Sequence, residues 1–68
     1  MSNNAFRALQ RAIKVVGASA ELARRLGVSR QAVDQWKKVP ATRAVDVERE
    51  TGIPRYELRP DVFPADGK

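Results

Sequence analysis

The chain contains no cysteine and no histidine. The first absence rules out a disulfide framework. Together the two remove the usual zinc and haem ligands and the usual general base near neutral pH. No base–nucleophile pair, metal-ligand cluster or Gly-rich phosphate loop is present either, so neither an enzyme, a cofactor nor a small-molecule substrate is expected. Apolar runs are only a few residues long, which leaves no signal peptide or membrane span to be read and makes the cytoplasm the expected location. No stretch alternates with period two, and Asp66-Gly67 has no apolar run after it to pair with. Strands are therefore not expected, and the fold class is all-α.

What is present is one small domain of 68 residues with a net charge of +5. A chain of this size buries only ~60% of its unfolded surface, so it is marginally stable or paired. The charge is divided unevenly. Residues 1–43 carry nine Lys and Arg against two acids, a balance of +7, whereas residues 44–68 carry four against six, a balance of −2. A basic front half and a mildly acidic back half fit a molecule with one face towards a polyanion and one away from it.

Five short helices can be read in order. Residues 1–4 are polar, and Ser2, Asn3 or Asn4 can cap a first helix over 5–16, whose Phe6, Leu9, Ile13 and Val16 recur at helical spacing before Gly17. Arg7, Arg11 and Lys14 share another face, either solvated or lying along DNA. A second helix starts at Ala18 or Ser19 and ends at Leu26. A third runs from Arg30 to Lys37 or Lys38. Val39-Pro40 breaks the chain, and a fourth helix starts at Pro40 or Ala41 and ends at Gly52, with Ala41, Ala44, Val45 and Val47 apolar. Glu48 falls near that stripe, where Arg43 or Arg49 can partner it. The last helix, 54–58, opens on Pro54, with Tyr56 and Leu58 to dock it. Val62 and Phe63 either tuck onto the domain or serve a partner.

The stretch 19–38 organises the rest. Leu22, Ala23 and Leu26 make one apolar stripe, and Gly27 stands where a helix ends in a left-handed residue. Val28 plugs the turn. Ser29 has the chemistry of an N-cap. Ala32, Val33 and Trp36 form the inner face of the next helix; Trp36 can stack on a base, but that position makes it a core anchor. Small Ala23 lets two helices cross closely, as a helix-turn-helix requires.

At 100° per residue, Arg30, Gln31, Asp34, Gln35 and Lys38 fall on an outward arc of about 140°. Long donor-rich side chains on such an arc suit base edges in a major groove, although a solvated face has the same composition. With Ser29 at the helix start, these six are the candidate base contacts. Asp34 can accept from a cytosine amino group, or it can pair with Arg30 and Lys38 and preset them. The candidate phosphate contacts are Ser19, Arg24, Arg25, Lys37, Thr42 and Arg43. Ser19 offers a hydroxyl at a helix start or simply caps it, and Thr42 and Arg43 lie in a first helical turn.

Ala23, Gly27, Val28, Ser29, Val33 and Trp36 in this motif, with Val39-Pro40-Ala41, Glu48, Thr51-Gly52 and Glu57-Leu58-Arg59-Pro60-Asp61 downstream, carry a resemblance to the lambdoid phage Cro family. The chain resembles its all-helical, YdaS-like branch over residues 5–64. Ala18 departs from the pattern, since the family often has Ser or Thr there, and the lost cap costs about 1 kcal/mol. The resemblance implies five short helices around a helix-turn-helix, lambda-repressor-like, with residues 1–60 as the DNA-binding domain and 61–68 as a tail. It implies a sequence-specific regulator, a Cro-like repressor binding a palindromic operator through residues 29–38, on DNA in a bacterial host. The alternative is a helix-turn-helix kept as a protein-interaction module, an antitoxin or antirepressor. The expected partners are duplex operator DNA and a second copy, held weakly through the C-terminal half. No metal, small molecule or membrane is expected as a partner.

Overall fold

The computed structural model describes residues 4–64, and in them the chain forms five α-helices and no strand: α1 (Asn4–Val16), α2 (Ser19–Leu26), α3 (Arg30–Gln35), α4 (Ala41–Thr51) and α5 (Arg55–Leu58). Ser2 and Asn3 as caps, and residues 65–68 of the tail with Asp66-Gly67, lie outside the described residues. No helix is long and apolar enough to cross a membrane among the described residues.

Leu9, Leu22, Val33, Val39, Val47 and Leu58 are the largest fully buried side chains, one from each helix plus one from the α3–α4 link. Each buried Leu or Val of this kind contributes on the order of 1.5–3 kcal/mol. Alanines 8, 12, 23 and 44 fill the gaps between them.

The α1 stripe differs from its sequence pattern. Its buried residues are Ala8, Leu9 and Ala12, with Ile13 and Val16 at the margin, while Phe6 is exposed. Helices α2, α4 and α5 all pack on α1, and the two small alanines let them approach, which turns the helix away from Phe6. Likewise Leu58 alone anchors α5, and Tyr56 stands in solvent. Of the tail pair, Phe63 tucks onto the core and Val62 does not.

The turn between α2 and α3 shows why this stretch folds as it does. Gly27 has φ +73°, its N–H donates to the Arg24 carbonyl, and the Val28 N–H donates to the Ala23 carbonyl at 3.0 Å. That is the Schellman arrangement, with Val28 supplying the accompanying apolar contact against the core. Ser29 then accepts from the Ala32 N–H at 3.1 Å and starts α3. At the other end of α2, Ala18 stands at the cap with no side-chain bond, and Ser19 is the first helical residue rather than its cap.

Helix α3 ends at Gln35, two or three residues short of the expected Lys37 or Lys38. Trp36 is already extended, at φ −70° and ψ 132°, and is half-buried at the core's edge. The chain must leave the helix there because Val39 is drawn fully into the core, and because the residue before Pro40 is confined to extended backbone. Pro54 caps α5 rather than opening it, a shift of one residue.

Candidate nucleic-acid interface

Helix α3 packs chiefly on α2, buries Val33, and turns Arg30, Gln31, Asp34 and Gln35 to solvent. Four of the six candidate base contacts therefore share one exposed face. Ser29 precedes them, its Oγ already accepting the capping bond. Lys38 is the exception. It lies past the end of α3, so the helical arc that included it is shorter than the sequence implied. It is exposed beside Lys37, and its ammonium is 3.8 Å from Asp61 rather than near Asp34.

Asp34 takes the pairing role, accepting from Arg30 Nε at 3.2 Å one helical turn away. Both groups are exposed, so the pair contributes no more than about 1 kcal/mol to stability. Its consequence is orientation: the guanidinium is biased along α3 while it stays exposed to solvent.

The candidate phosphate contacts are found in different states. Ser19 is half-buried and borders a shallow groove with Phe6, Gln10, Asp34 and Trp36, so α1, the start of α2 and α3 meet there. Thr42 is exposed in the first turn of α4. Arg43 is half-buried and donates to the Leu26 carbonyl at 3.3 Å, tying α4 to the end of α2. Arg24 and Arg25 both close on Glu21, Arg25 through Nε at 2.8 Å, and Arg25 also lies 3.8 Å from Glu50 of α4. The sequence reading placed these two arginines among the phosphate contacts and gave them no acidic partner. The acid they share comes from the i, i+3 and i, i+4 spacing.

Hydrogen bonds from Arg24 and then Arg25 hold the Glu21 carboxyl down at about 2, and hydrogen bonds from Arg59, then a backbone N–H and least the charge of Lys38, hold Asp61 down at about 2. Glu48 is also lowered, but by Arg55 and not by either expected arginine. Arg55 donates from its side chain at 2.7 Å and from its backbone N–H at 3.2 Å, while Arg49 turns to Asp46. The sequence could not rank these partners because Glu48 and Arg55 meet only once α5 has docked. Carboxyls depressed below their unfolded values stabilise the fold above the unfolded pKa, and that contribution is lost as pH falls through the folded one. Thermal stability is therefore expected to hold steady from neutrality to about pH 5 and to fall between about pH 4.5 and 2. Melts at stepped pH check this, and Glu21→Gln should flatten part of the drop; a main transition near pH 6–7 would contradict it.

Arg59 and Asp61 carry no site role in the sequence reading, yet they stand next to the segment that follows α3. The only prior signal was their place in the Glu57–Asp61 run.

A family model described as bacterial toxin YdaS matches residues 9–66. The Gene 30 protein of Enterobacteria phage phi80 is 40% identical over 68 residues, spanning 93% of each chain. Among solved structures, the Cro protein from putative prophage element Xfaso 1 in Xylella fastidiosa strain Ann-1 aligns with TM-score 0.81 and 43% identity. That alignment covers 85% of this chain and 97% of that one.

Proposed function

Because the chain belongs to the phage Cro-like, all-helical family that the YdaS model describes, we propose that it is a sequence-specific duplex-DNA-binding regulator, a repressor that occupies a palindromic operator in the bacterial cytoplasm. The observation that carries this reading is the exposed face of α3. Arg30, Gln31 and Gln35 project from a six-residue helix held only from behind, with Lys37 and Lys38 directly after it. A face with these donors fits the major groove, where Arg matches guanine O6/N7 and Gln matches adenine N6/N7. A module that only binds proteins would have no need of such a face. The toxin description favours the protein-interaction alternative only through its wording.

Lys37, Lys38, Arg43 and one of Arg24 or Arg25 neutralise phosphates in this reading. Alanine at any of these positions is expected to lower the slope of log K against log salt by about one unit on any duplex. Titrations at several salt concentrations measure it, and slopes unchanged across the whole set would remove this surface as the backbone clamp.

A single recognition helix contacts too few base pairs to pick an operator from a genome, and two-fold dimers on half-sites about one helical turn apart meet that need. The second copy is proposed to dock through the C-terminal half. Tyr56 and Val62 are exposed there, and the groove beside Tyr56 is lined by Arg7, Arg11 and Glu57, with Arg11 and Glu57 ion-paired at 2.6 Å. The exposed apolar patch is modest, so the free dimer is weak and assembles on DNA. Sedimentation is expected to show monomer at micromolar protein and two copies per palindromic duplex. Because Tyr56→Ala also removes packing from α5, a charge reversal at an exposed position of the same segment is the cleaner probe, and it should weaken the second step without lowering the melting temperature. A dimer at nanomolar protein, or one copy per palindrome at saturation, would overturn this assembly.

A further inference from the structure

Past the Trp36 N–H, which donates to the Val33 carbonyl, the chain runs through exposed Lys37 and Lys38 into Val39. Two anchors hold this segment. The Val39 side chain is fully buried. Its carbonyl accepts from Arg59 Nη1 at 3.1 Å, twenty positions along the chain. The Arg59 side chain is only 13% exposed. Its remaining two bonds go to the Asp61 carboxylate, from Nε at 2.9 Å and from Nη2 at 2.7 Å. Oδ2 of that carboxylate is the oxygen that lies 3.8 Å from Lys38 Nζ. One guanidinium thus fixes both a loop carbonyl and a carboxylate beside a lysine.

We infer that Arg59 and Asp61 form a latch on the DNA-facing segment: Arg59 positions the backbone at Val39, and Asp61 holds Lys38 in the free protein and yields it to a phosphate when duplex arrives. The inference rests on the DNA-binding reading above. A carboxylate oxygen and a phosphodiester oxygen offer Lys38 the same anionic acceptor, so one can replace the other without rebuilding the segment. Lys38 and Asp61 are both about half exposed, so their contact is weakly held and readily exchanged. Arg59, with three bonds made and little exposure, is a positioning residue and does not itself reach DNA. Asp61 stays ionised throughout the neutral range and is available for the exchange. The latch therefore orients a cation and at the same time subtracts from its pull on DNA.

A double-mutant cycle on random-sequence duplex reads the exchange. Asp61→Asn should tighten binding about two- to fivefold, the range an exposed pair spans, and the gain should vanish in a Lys38→Ala background. A gain that persists with Lys38→Ala would reduce Asp61 to a general acidic charge, and no gain at all would sink the exchange. Arg59→Lys keeps the charge, but one ammonium cannot serve the Val39 carbonyl and both carboxylate oxygens. Amide relaxation in the free protein should then show residues 37–39 more mobile, with α1 and α2 unchanged. Unaltered relaxation at 37–39 would refute the anchor. Wild-type protein that binds no duplex at low salt would end the DNA reading and the exchange with it, while the relaxation measurement would still decide the anchor alone.

Discussion

Gln31→Ala and Gln35→Ala should each weaken binding to the cognate operator by about 1–3 kcal/mol while leaving binding to random DNA nearly unchanged. Both amides are exposed on α3, so the fold should not suffer. Each can present a carbonyl and an amino group to one adenine edge, which makes the loss specific to the bases read. Arg30→Ala should behave similarly, with one difference. Asp34 would lose its partner and stand unpaired beside the phosphates, so some loss should appear on random DNA as well. Titration of both duplexes with each variant separates the cases. Equal weakening on cognate and random DNA by the two glutamine variants would show that α3 does not read bases.

The largest effect on folding is expected at Leu22. It is fully buried, and its helix α2 packs against α1, α3 and α4 at once. Leucine to alanine at such a site costs about 2–5 kcal/mol, through lost burial and the cavity left behind. A domain of this size has a total stability on the order of 3–10 kcal/mol, at about 0.05–0.15 kcal/mol per residue. Leu22→Ala should therefore lower the melting temperature by tens of degrees or leave the chain largely unfolded at 37 °C. Circular dichroism melts would show it, and operator DNA should restore part of the loss, because only the folded chain binds. A melt within a few degrees of wild type would mean that the core is not centred on α2.

The parts of this molecule that were readable in its sequence are those specified by neighbouring residues. Leu26, Gly27, Val28 and Ser29 set one helix end and the next helix start through contacts no more than five residues apart, and the turn forms as those residue types require. Gly52 closes α4 as locally, at φ +81° with its N–H donating to the Glu48 carbonyl. The end of α3 was not readable. Lys37 and Lys38 are good helix formers, and local preference extends the helix through them, whereas burial of Val39 and the Arg59 bond to its carbonyl end it from outside. The arginine partners fail for the same reason. Glu21 with Arg24 and Arg25 lies within one helix, but Glu48 with Arg55 and Lys38 with Asp61 depend on how α5 and the tail are laid down. Periodicity also overweighted size in α1, where Phe6 completed the pattern but Ala8 and Ala12 made the contact.

Selection of binding sites from a random duplex pool decides whether α3 chooses a sequence in DNA. Enrichment of a palindrome whose half-sites lie about one helical turn apart is expected, with guanine or adenine favoured at the positions that Arg30, Gln31 and Gln35 reach. A pool that emerges from successive rounds with no sequence enriched over the input would contradict it.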